Sequence, residues 1–284
     1  MTDHVIVGNA TLYLGDCLEV MAGLPDASVD LTVTSPPYDN LRTYNGTLND
    51  WTPEKWQAII RELFRVTKQG GVVVWIVGDA TINGSETGTS FRQALYAMDC
   101  GFRLHDTMIY QKANPVPNEV GFRYQAAFEY MFVLSKGKPK TFNGLRENKS
   151  KKSFTSKNTT TYRNKDGTTK KLNKKAQERL KKSLNDKTKL MSNIWKISAG
   201  FGVSTVDKVA FNHPAIFPEK LAANHIVSWS NENDLVYDPF MGSGTTAKMA
   251  HIYKRNWIGS DLSKEYVDIA NKRLKPYLTQ TTLF

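Results

Sequence analysis

The chain has 284 residues, of which 40% are hydrophobic, so it can bury the core of one large α/β domain, with or without an insertion. The sequence holds no apolar run near the ~20 residues of a membrane helix, and we expect no secretory signal. Its two cysteines suggest a reducing compartment without a disulfide framework, which predicts a cytoplasmic protein with no membrane partner. The net charge of +11 predicts a polyanionic partner instead.

The first strand and helix patterns lead to a proline-rich stretch. Thr11–Leu14 is predicted to form a strand and Cys17–Leu24 a short helix. The alternating run Val29–Val33 predicts a second strand, which must stop at Thr34–Tyr38 because consecutive prolines donate no hydrogen bonds to a sheet. A rigid loop at the carboxyl end of a strand is where open α/β sheets bind ligands. These five residues alone fit an ordinary proline loop equally well.

Helix and strand signals resume after a polar stretch, Asp39–Asp50, that predicts a loop. Thr52 is a predicted N-cap, and Pro53 is the predicted first residue of a helix that should end at Gly70–Gly71. The continuous apolar run Val72–Val77 predicts a strand buried on both faces. A helix over Phe91–Cys100 and strands over Phe102–Tyr110 and Phe128–Leu134 follow.

The positive charge is concentrated in one segment, Lys136–Lys189, which holds 19 Lys and Arg against 4 Asp and Glu. The rest of the chain carries a net charge of −4. A four-residue spacing of Leu and Ala predicts an amphipathic helix over Asn173–Leu190, and we expect Ser150–Thr169 to be poorly ordered without a partner. A lysine-rich stretch is usually a solvated tract, but interleaved Phe154 and Tyr162 favour contact with DNA.

The last third returns to alternating strands and helices. The predicted elements are a helix from Pro218, strands Leu235–Tyr237 and Asn256–Ser260, and helices Thr245–Tyr253 and Ser263–Leu274. Strands that alternate with helices on both sides of the basic segment predict an α/β fold with a doubly wound, mostly parallel sheet. The predicted parts are residues 1–135, a basic insertion over 136–192, and residues 193–284.

A glycine-rich turn with two strand-end carboxylates is the strongest chemical signal. Asp238 follows a strand and precedes Gly242 and Gly244, which let backbone approach a ligand closely before a helix begins. Asp261 closes the next strand, where nucleotide-binding α/β folds hold ribose hydroxyls. A lysine after the glycines is missing, so the turn is not a phosphate-binding loop.

Together these motifs resemble those of exocyclic-amino DNA methyltransferases. Asp238–Thr245 is similar to their S-adenosylmethionine motif, and Thr34–Tyr38 resembles their catalytic motif, written (D/N/S)PP(Y/F). The catalytic motif comes first, as in the circularly permuted beta group, and the resemblance covers nearly the whole chain except Lys136–Lys189. It implies a Rossmann-like fold with catalytic residues 1–135, a target-recognition insertion and a cofactor-binding part, in a bacterial, archaeal or phage-encoded protein.

The resemblance also implies roles for individual residues. The catalytic residues are Ser35, Pro36, Pro37 and Tyr38. The residues that bind S-adenosylmethionine are Asp16, Cys17, Thr34, Phe217, Pro218, Asp238, Pro239, Phe240, Gly242, Ser243, Gly244, Thr245, Asp261, Leu262 and Tyr266. Asp16 is expected near the cofactor's adenine, although it is almost as good a candidate for a helix N-cap. No metal is expected.

The catalytic motif suits methylation of an exocyclic amine, whose nitrogen lone pair is delocalised into the base. The Ser35 hydroxyl and the Pro36 carbonyl are acceptors that can orient the amine toward the cofactor methyl. Tyr38 can stack on the target base, which must leave the duplex. Serine at the first motif position favours cytosine N4, with adenine N6 as the alternative and RNA or protein amides less favoured.

The predicted function is therefore sequence-specific methylation of duplex DNA, within a restriction-modification system. A homodimer and a cognate restriction endonuclease are possible partners by analogy with the group. A DNA-binding protein with a vestigial cofactor site is the non-enzymatic alternative, which the set of Asp238, Gly242, Gly244 and Asp261 disfavours.

Overall fold

The computed structural model describes residues 3–7, 10–39, 51–115, 123–149, 161–200 and 202–279. The predicted loop over 40–50 and most of the tract expected to be poorly ordered, 150–160, lie outside these residues. The chain divides into two compact units, one made of Met1–Asn143 with Asn193–Phe284, and the other of Gly144–Ser192.

The secondary structure follows the predicted alternation of strands and helices. The strands are β1 Asp3–Val7, β2 Ala10–Leu14, β3 Val29–Thr34, β4 Thr67–Val77, β5 Thr81–Ile82, β6 Ser85–Glu86, β7 Arg103–Lys112, β8 Phe128–Ser135, β9 Arg146–Asn148, β10 Thr161–Arg163, β11 Thr169–Lys171, β12 Thr188–Leu190, β13 Ile194–Ile197, β14 Leu235–Asp238 and β15 Asn256–Asp261. The helices are α1 Cys17–Ala22, α2 Pro53–Val66, α3 Thr89–Asp99, α4 Lys174–Asn185, α5 Glu219–Trp229, α6 Thr245–Ile252 and α7 Lys264–Thr279.

Nine strands of the first unit form one sheet in the order β1-β2-β15-β14-β3-β4-β8-β7-β13. Strands β1 and β8 run antiparallel to their neighbours, and the other pairs are parallel. The predicted mostly parallel α/β sheet is confirmed. Because β2, β15, β14 and β3 are adjacent and parallel, their carboxyl ends lie along one edge of the sheet, where such folds bind ligands.

Helices cover both faces of the sheet, as the apolar run in β4 predicts. Val73, Trp75 and Val77 pack into a core shared with α1, α2 and α3. The alternate residues Val72 and Val74 are equally buried and therefore point to the opposite face, where α5, α6 and α7 pack together.

The prediction that Gly70 and Gly71 end the second helix is wrong. Helix α2 ends at Val66, and β4 begins at Thr67, so both glycines lie within the strand. Gly70 pairs with the residue that follows β8, since its amide donates to the Lys136 carbonyl at 2.7 Å. Its positive φ of 80° explains the glycine there.

Other predicted boundaries also differ from the structure, among them those of β7, α7 and α4. Strand β7 continues to Lys112, two residues past its predicted end at Tyr110, because its ladders with β8 and β13 extend to Gln111 and Lys112. Helix α7 runs past Leu274 to Thr279 with Pro276 inside it. The helix predicted to end at Leu190 stops at Asn185, and Thr188–Leu190 pairs as β12 with β9.

Taken by itself, the second unit consists of short strands and helix α4. Strands β10 and β11 form a hairpin that begins inside the stretch expected to be poorly ordered and ends just past it, and β9 pairs with β12. Helix α4 carries exposed lysines such as Lys174 and Lys175 on its surface. None of the helices in the described parts of the chain is long and apolar enough to cross a membrane.

Candidate active site

One cleft of about 1760 Å³ follows the carboxyl ends of β2, β15, β14 and β3. Its wall includes Asp16 after β2, Asp261 at the end of β15, Asp238 at the end of β14 and Ser35 after β3. Pockets for small molecules usually measure about 300–1,000 Å³. The cleft therefore has room for a cofactor together with a second ligand.

The two motifs identified in the sequence meet at Thr34 and Asp238. Thr34 Oγ1 donates to Asp238 Oδ1 at 2.6 Å, and the Phe240 amide donates to the same oxygen at 3.0 Å. Both residues are buried. Burial raises the pKa of Asp238 to about 6, although the hydrogen bond from Thr34 acts in the opposite direction. This contact fixes the proline-rich loop beside the glycine-rich turn.

Asp261 holds the glycine-rich turn from the neighbouring strand. Its Oδ2 accepts from the Gly242 amide and its Oδ1 from the Ser263 amide, each at 2.9 Å. Gly242 has a φ of 50°, and a Cβ there would lie 3.0 Å from His213 Nε2, so the position requires glycine. Burial raises the pKa of Asp261 to about 6 against the effect of the two amides. Each carboxylate oxygen has a second lone pair for a further donor.

Asp16 serves as the helix cap that one interpretation of the sequence predicted. Its Oδ1 accepts from the Leu18 amide at 2.8 Å, while Oδ2 pairs with Lys55 of α2. The neighbouring Cys17 is buried, and burial raises the pKa of its thiol to about 12. Cys17 therefore contributes a small, neutral surface to the cleft wall rather than a thiolate.

A buried cluster of ion pairs holds the glycine-rich turn in place. Arg273 and Lys248 are almost fully buried and both pair with Asp207 and Glu219 at distances of 2.6–2.8 Å. Burial acts to raise the pKa of Asp207, but hydrogen bonds from Lys248 and Arg273 outweigh it and lower the value to about 2. Arg273 Nη1 also donates to the Ser243 carbonyl at 3.0 Å. The cluster thus ties the turn to α5 and α7.

The proline-rich loop after β3 is held through Tyr38. Ser35 Oγ donates to the Tyr38 hydroxyl oxygen at 2.9 Å, and that hydroxyl donates to Glu129 Oε2 at 3.0 Å. The Ile76 carbonyl is a second acceptor, 3.3 Å from the Tyr38 oxygen. Glu129 Oε1 in turn pairs with Lys112 Nζ at 2.8 Å. A continuous polar contact therefore runs from Ser35 across the cleft wall to β7.

Most of the predicted site residues line the cleft, and three do not. The lining residues from the prediction are Ser35, Pro37, Tyr38, Asp16, Cys17, Phe217, Pro218, Asp238, Pro239, Phe240, Gly242, Ser243, Thr245, Asp261, Leu262 and Tyr266. Thr34 lies behind the wall because its hydroxyl is bonded to Asp238. Pro36 is buried, and Gly244 faces α7, where a Cβ would lie 3.1 Å from Ala270 Cβ.

Glu129 and Lys55 are among the cleft residues that the sequence did not predict. Glu129 is the one acidic residue in the apolar strand β8. An acidic side chain in an otherwise apolar strand could have indicated a functional residue. Lys55 lies on the first turns of an ordinary amphipathic helix, and only the folded structure pairs it with Asp16.

The described residues fit the predicted cofactor, S-adenosylmethionine. Asp16 and Asp261 offer carboxylate acceptors for amino and hydroxyl groups at two neighbouring strand ends. Trp51 and Phe240, with ring centroids 5.5 Å apart, add apolar surface to the same cleft. In the described parts of the chain, no group of three or more His, Cys, Asp or Glu side chains could hold a metal ion.

Similarity to known proteins extends over most of the chain. A family model described as DNA methylase matches residues 29–272. The orphan methyltransferase M.BamHII of Bacillus amyloliquefaciens is 55% identical over 257 residues, which cover 89% of this chain and 91% of that protein.

Solved structures share the fold. The PvuII DNA methyltransferase, described as cytosine-N4-specific, matches with a TM-score of 0.68 and 22% identity, covering 98% of this chain and 89% of that one. The protein TTHA0409 of Thermus thermophilus, complexed with S-adenosyl-L-methionine, matches with a TM-score of 0.62 and 24% identity over 95% of each chain. At these identities the likeness shows a common Rossmann-like sheet.

Proposed function

We propose that this chain, which belongs to the N6 and N4 DNA methylase family, methylates the N4 amine of cytosine in duplex DNA. Membership confirms the prediction of an exocyclic-amino DNA methyltransferase and, with it, S-adenosylmethionine as the methyl donor. The choice of cytosine rests on one observation, Ser35 as the first residue of the Pro-Pro motif. The serine form of this motif resembles that of cytosine-N4 enzymes.

We assign the cofactor to the part of the cleft between Asp16 and Asp261. S-adenosylmethionine supplies an electrophilic methyl group when it is bound. Asp261 is suited to accept from the ribose hydroxyls, because amides of Gly242 and Ser263 hold its carboxylate in place. Asp16 and the buried Cys17 are suited to the adenine, as the resemblance implies.

We assign the target amine to Ser35, on the same cleft wall. The nitrogen of an exocyclic amine is a poor nucleophile, because its lone pair is delocalised into the ring. An acceptor fixed at Ser35 Oγ favours a pyramidal nitrogen with an available lone pair. The Pro36 carbonyl, expected as a second acceptor, belongs to a buried residue that does not line the cleft. This is catalysis by positioning and electrostatic preorganisation, and it requires no strong base.

A base in a duplex cannot reach Ser35, so the target base must be flipped out of the stack. The cleft's volume of about 1760 Å³ allows a base beside the cofactor. Tyr38 and Pro37 line the wall next to Ser35, and we assign them to contact with the face of the flipped base.

Target recognition is assigned to the basic insertion predicted over 136–192, whose compact part is Gly144–Ser192. Its exposed lysines suit contact with phosphates, which supply affinity without sequence information. The relative M.BamHII is named an orphan methyltransferase. A role of this chain in restriction-modification is part of the proposal. A homodimer and a cognate endonuclease stay predictions, and sedimentation of the purified protein tests the first.

Base identity is tested by methylating duplex DNA with isotope-labelled S-adenosylmethionine and analysing the digested nucleosides by mass spectrometry. We expect the label in N4-methylcytosine. Label in N6-methyladenine alone contradicts the cytosine assignment and supports the adenine alternative, because the same acceptors serve either amine. Competition with RNA and protein substrates in the same assay tests the less favoured alternatives, methylation of RNA or of a protein amide.

A further inference from the structure

The polar contacts from Ser35 to Lys112 have a defined direction. Glu129 is an acceptor toward both of its partners, since Oε1 pairs with Lys112 Nζ at 2.8 Å and Oε2 faces the Tyr38 hydroxyl at 3.0 Å. The Ile76 carbonyl, 3.3 Å from the same hydroxyl, is also only an acceptor. Tyr38 has a single hydroxyl proton, which the Glu129 carboxylate and the Ile76 carbonyl draw away from Ser35.

This direction decides the role of the Ser35 hydroxyl. Because the Tyr38 proton points to Glu129, the Tyr38 oxygen accepts, and Ser35 Oγ donates its only proton to it at 2.9 Å. The lone pairs of Ser35 Oγ are then left for a donor in the cleft. A serine hydroxyl without such a partner can donate or accept, whereas an aspartate in its place only accepts.

We propose that Glu129 and Tyr38 are positioning residues that make Ser35 an obligate acceptor for the N–H of the target amine. The inference rests on the proposed function, which places that amine at Ser35. It explains how serine can stand where other members of the resembled family have Asp or Asn. Lys112 contributes by holding Glu129 Oε1, so that Oε2 stays directed at Tyr38.

The main test is Glu129→Gln, which keeps the size of the side chain and replaces an acceptor oxygen by an amide that can donate. The introduced amide can donate to Tyr38, so that only the longer contact with the Ile76 carbonyl, at 3.3 Å, still competes with Ser35 for the Tyr38 proton, which can then turn toward Ser35 and occupy its lone pair. We expect turnover at saturating substrate to fall by about tenfold or more, on the scale of one misdirected catalytic hydrogen bond. The affinity for S-adenosylmethionine, measured by calorimetry, should be unchanged.

A second variant separates positioning from general damage to the fold. Tyr38→Phe keeps the ring and removes the hydroxyl between Ser35 and Glu129. If both residues act only through the Ser35 proton, Tyr38→Phe/Glu129→Gln should be no slower than the slower single variant. In a Ser35→Asp background that retains turnover, Glu129→Gln should have little effect, because the aspartate already accepts.

The matched control is Glu232→Gln, at an exposed turn that is not part of the cleft wall, and it should have wild-type turnover. Wild-type turnover in Glu129→Gln, or multiplying losses in the double variant, overturns the inference while leaving the proposed function intact. Failure of the wild-type protein to methylate any duplex DNA overturns the proposed function and the inference together.

Discussion

Thr34 Oγ1 lies 2.6 Å from Asp238 Oδ1, in a buried hydrogen bond between two strand ends that are 204 residues apart in the chain. Strands β3 and β14 are neighbours in the sheet, so the bond connects the start of the proline-rich loop to the start of the glycine-rich turn. It fixes the distance between the loop assigned to the target base and the turn assigned to the cofactor.

Removing this bond should destabilise the protein. Thr34→Val keeps the shape of the side chain but removes the Thr34 hydroxyl as a donor to the buried Asp238 carboxylate. We expect the free energy of unfolding to fall by about 1–3 kcal/mol. Thr34→Ser is the matched control, since it retains the donor. Chemical unfolding of both variants measures the effect, and equal stability of Thr34→Val and Thr34→Ser would show that the bond contributes nothing.

Asp261 should control affinity for the cofactor. Asp261→Asn replaces one charged acceptor of the ribose hydroxyls by an amide, and hydrogen bonds to charged groups contribute about 1.5–3 kcal/mol. We expect S-adenosylmethionine to bind roughly 10- to 100-fold more weakly in calorimetry. Asp268→Asn, which removes an exposed carboxylate from α7, is the control and should bind normally.

The affinity for S-adenosylmethionine should also depend on pH in a defined direction. Burial raises the pKa of Asp261 to about 6 and that of Asp238 to about 6. Below this pH the unliganded carboxyls are protonated, and a ligand that prefers carboxylate acceptors must displace the protons. Affinity should therefore be constant between pH 7 and 8 and fall below pH 6, by up to about tenfold per unit for each group. The dependence should be shallower in Asp261→Asn, and an equal slope in that variant contradicts the assignment.

The second unit should carry DNA affinity without affecting the cofactor site. A deletion that starts at Lys136 would damage the first unit, because the backbone of Lys136 and Lys140 pairs with Gly70 and Gly71. Replacing Gly144–Ser192 by a flexible linker avoids this. We expect the variant to lose specific DNA binding in a gel-shift assay and to keep its affinity for S-adenosylmethionine. Unchanged site-specific methylation contradicts the recognition assignment.

A milder variant tests the same unit through its charge. Lys174→Gln/Lys175→Gln removes two exposed charges from α4. Each lost phosphate contact should reduce the slope of log K against log salt by about 0.9 for duplex DNA. Lys264→Gln, on the exposed surface of α7, is the control. A slope equal to that of the wild type would exclude these lysines from phosphate contact.

The sequence predicted the elements that local patterns specify. The apolar run Val72–Val77, the Thr52 cap and the Gly242 turn each leave a signal within a few residues, and the structure has all three. The predicted ends of α2 and α4 were wrong. Gly70 and Gly71 lie in β4, which pairs with β8, and Thr188–Leu190 pairs as β12 with β9. Both ends therefore depend on partners that are distant in the sequence.

Long-range polar contacts were the other part that the sequence could not show. Arg273 meets Asp207 across 66 residues, and Tyr38 meets Glu129 across 91. No spacing rule connects such pairs, since the sheet order that brings them together is set by the whole fold. An acid in the apolar strand β8 was the only local sign of Glu129.

The central claim is that Ser35 orients the target amine beside a separately bound cofactor. Its most direct test is Ser35→Ala, with methyl transfer to duplex DNA and S-adenosylmethionine affinity measured on the same preparation. We predict that turnover falls roughly 100-fold, as for loss of one preorganised hydrogen bond, while the cofactor dissociation constant is unchanged. Ser28→Ala is the control and should behave as the wild type, because the Ser28 hydroxyl donates to the Pro25 carbonyl at a turn outside the cleft wall. Wild-type turnover in Ser35→Ala would contradict the claim.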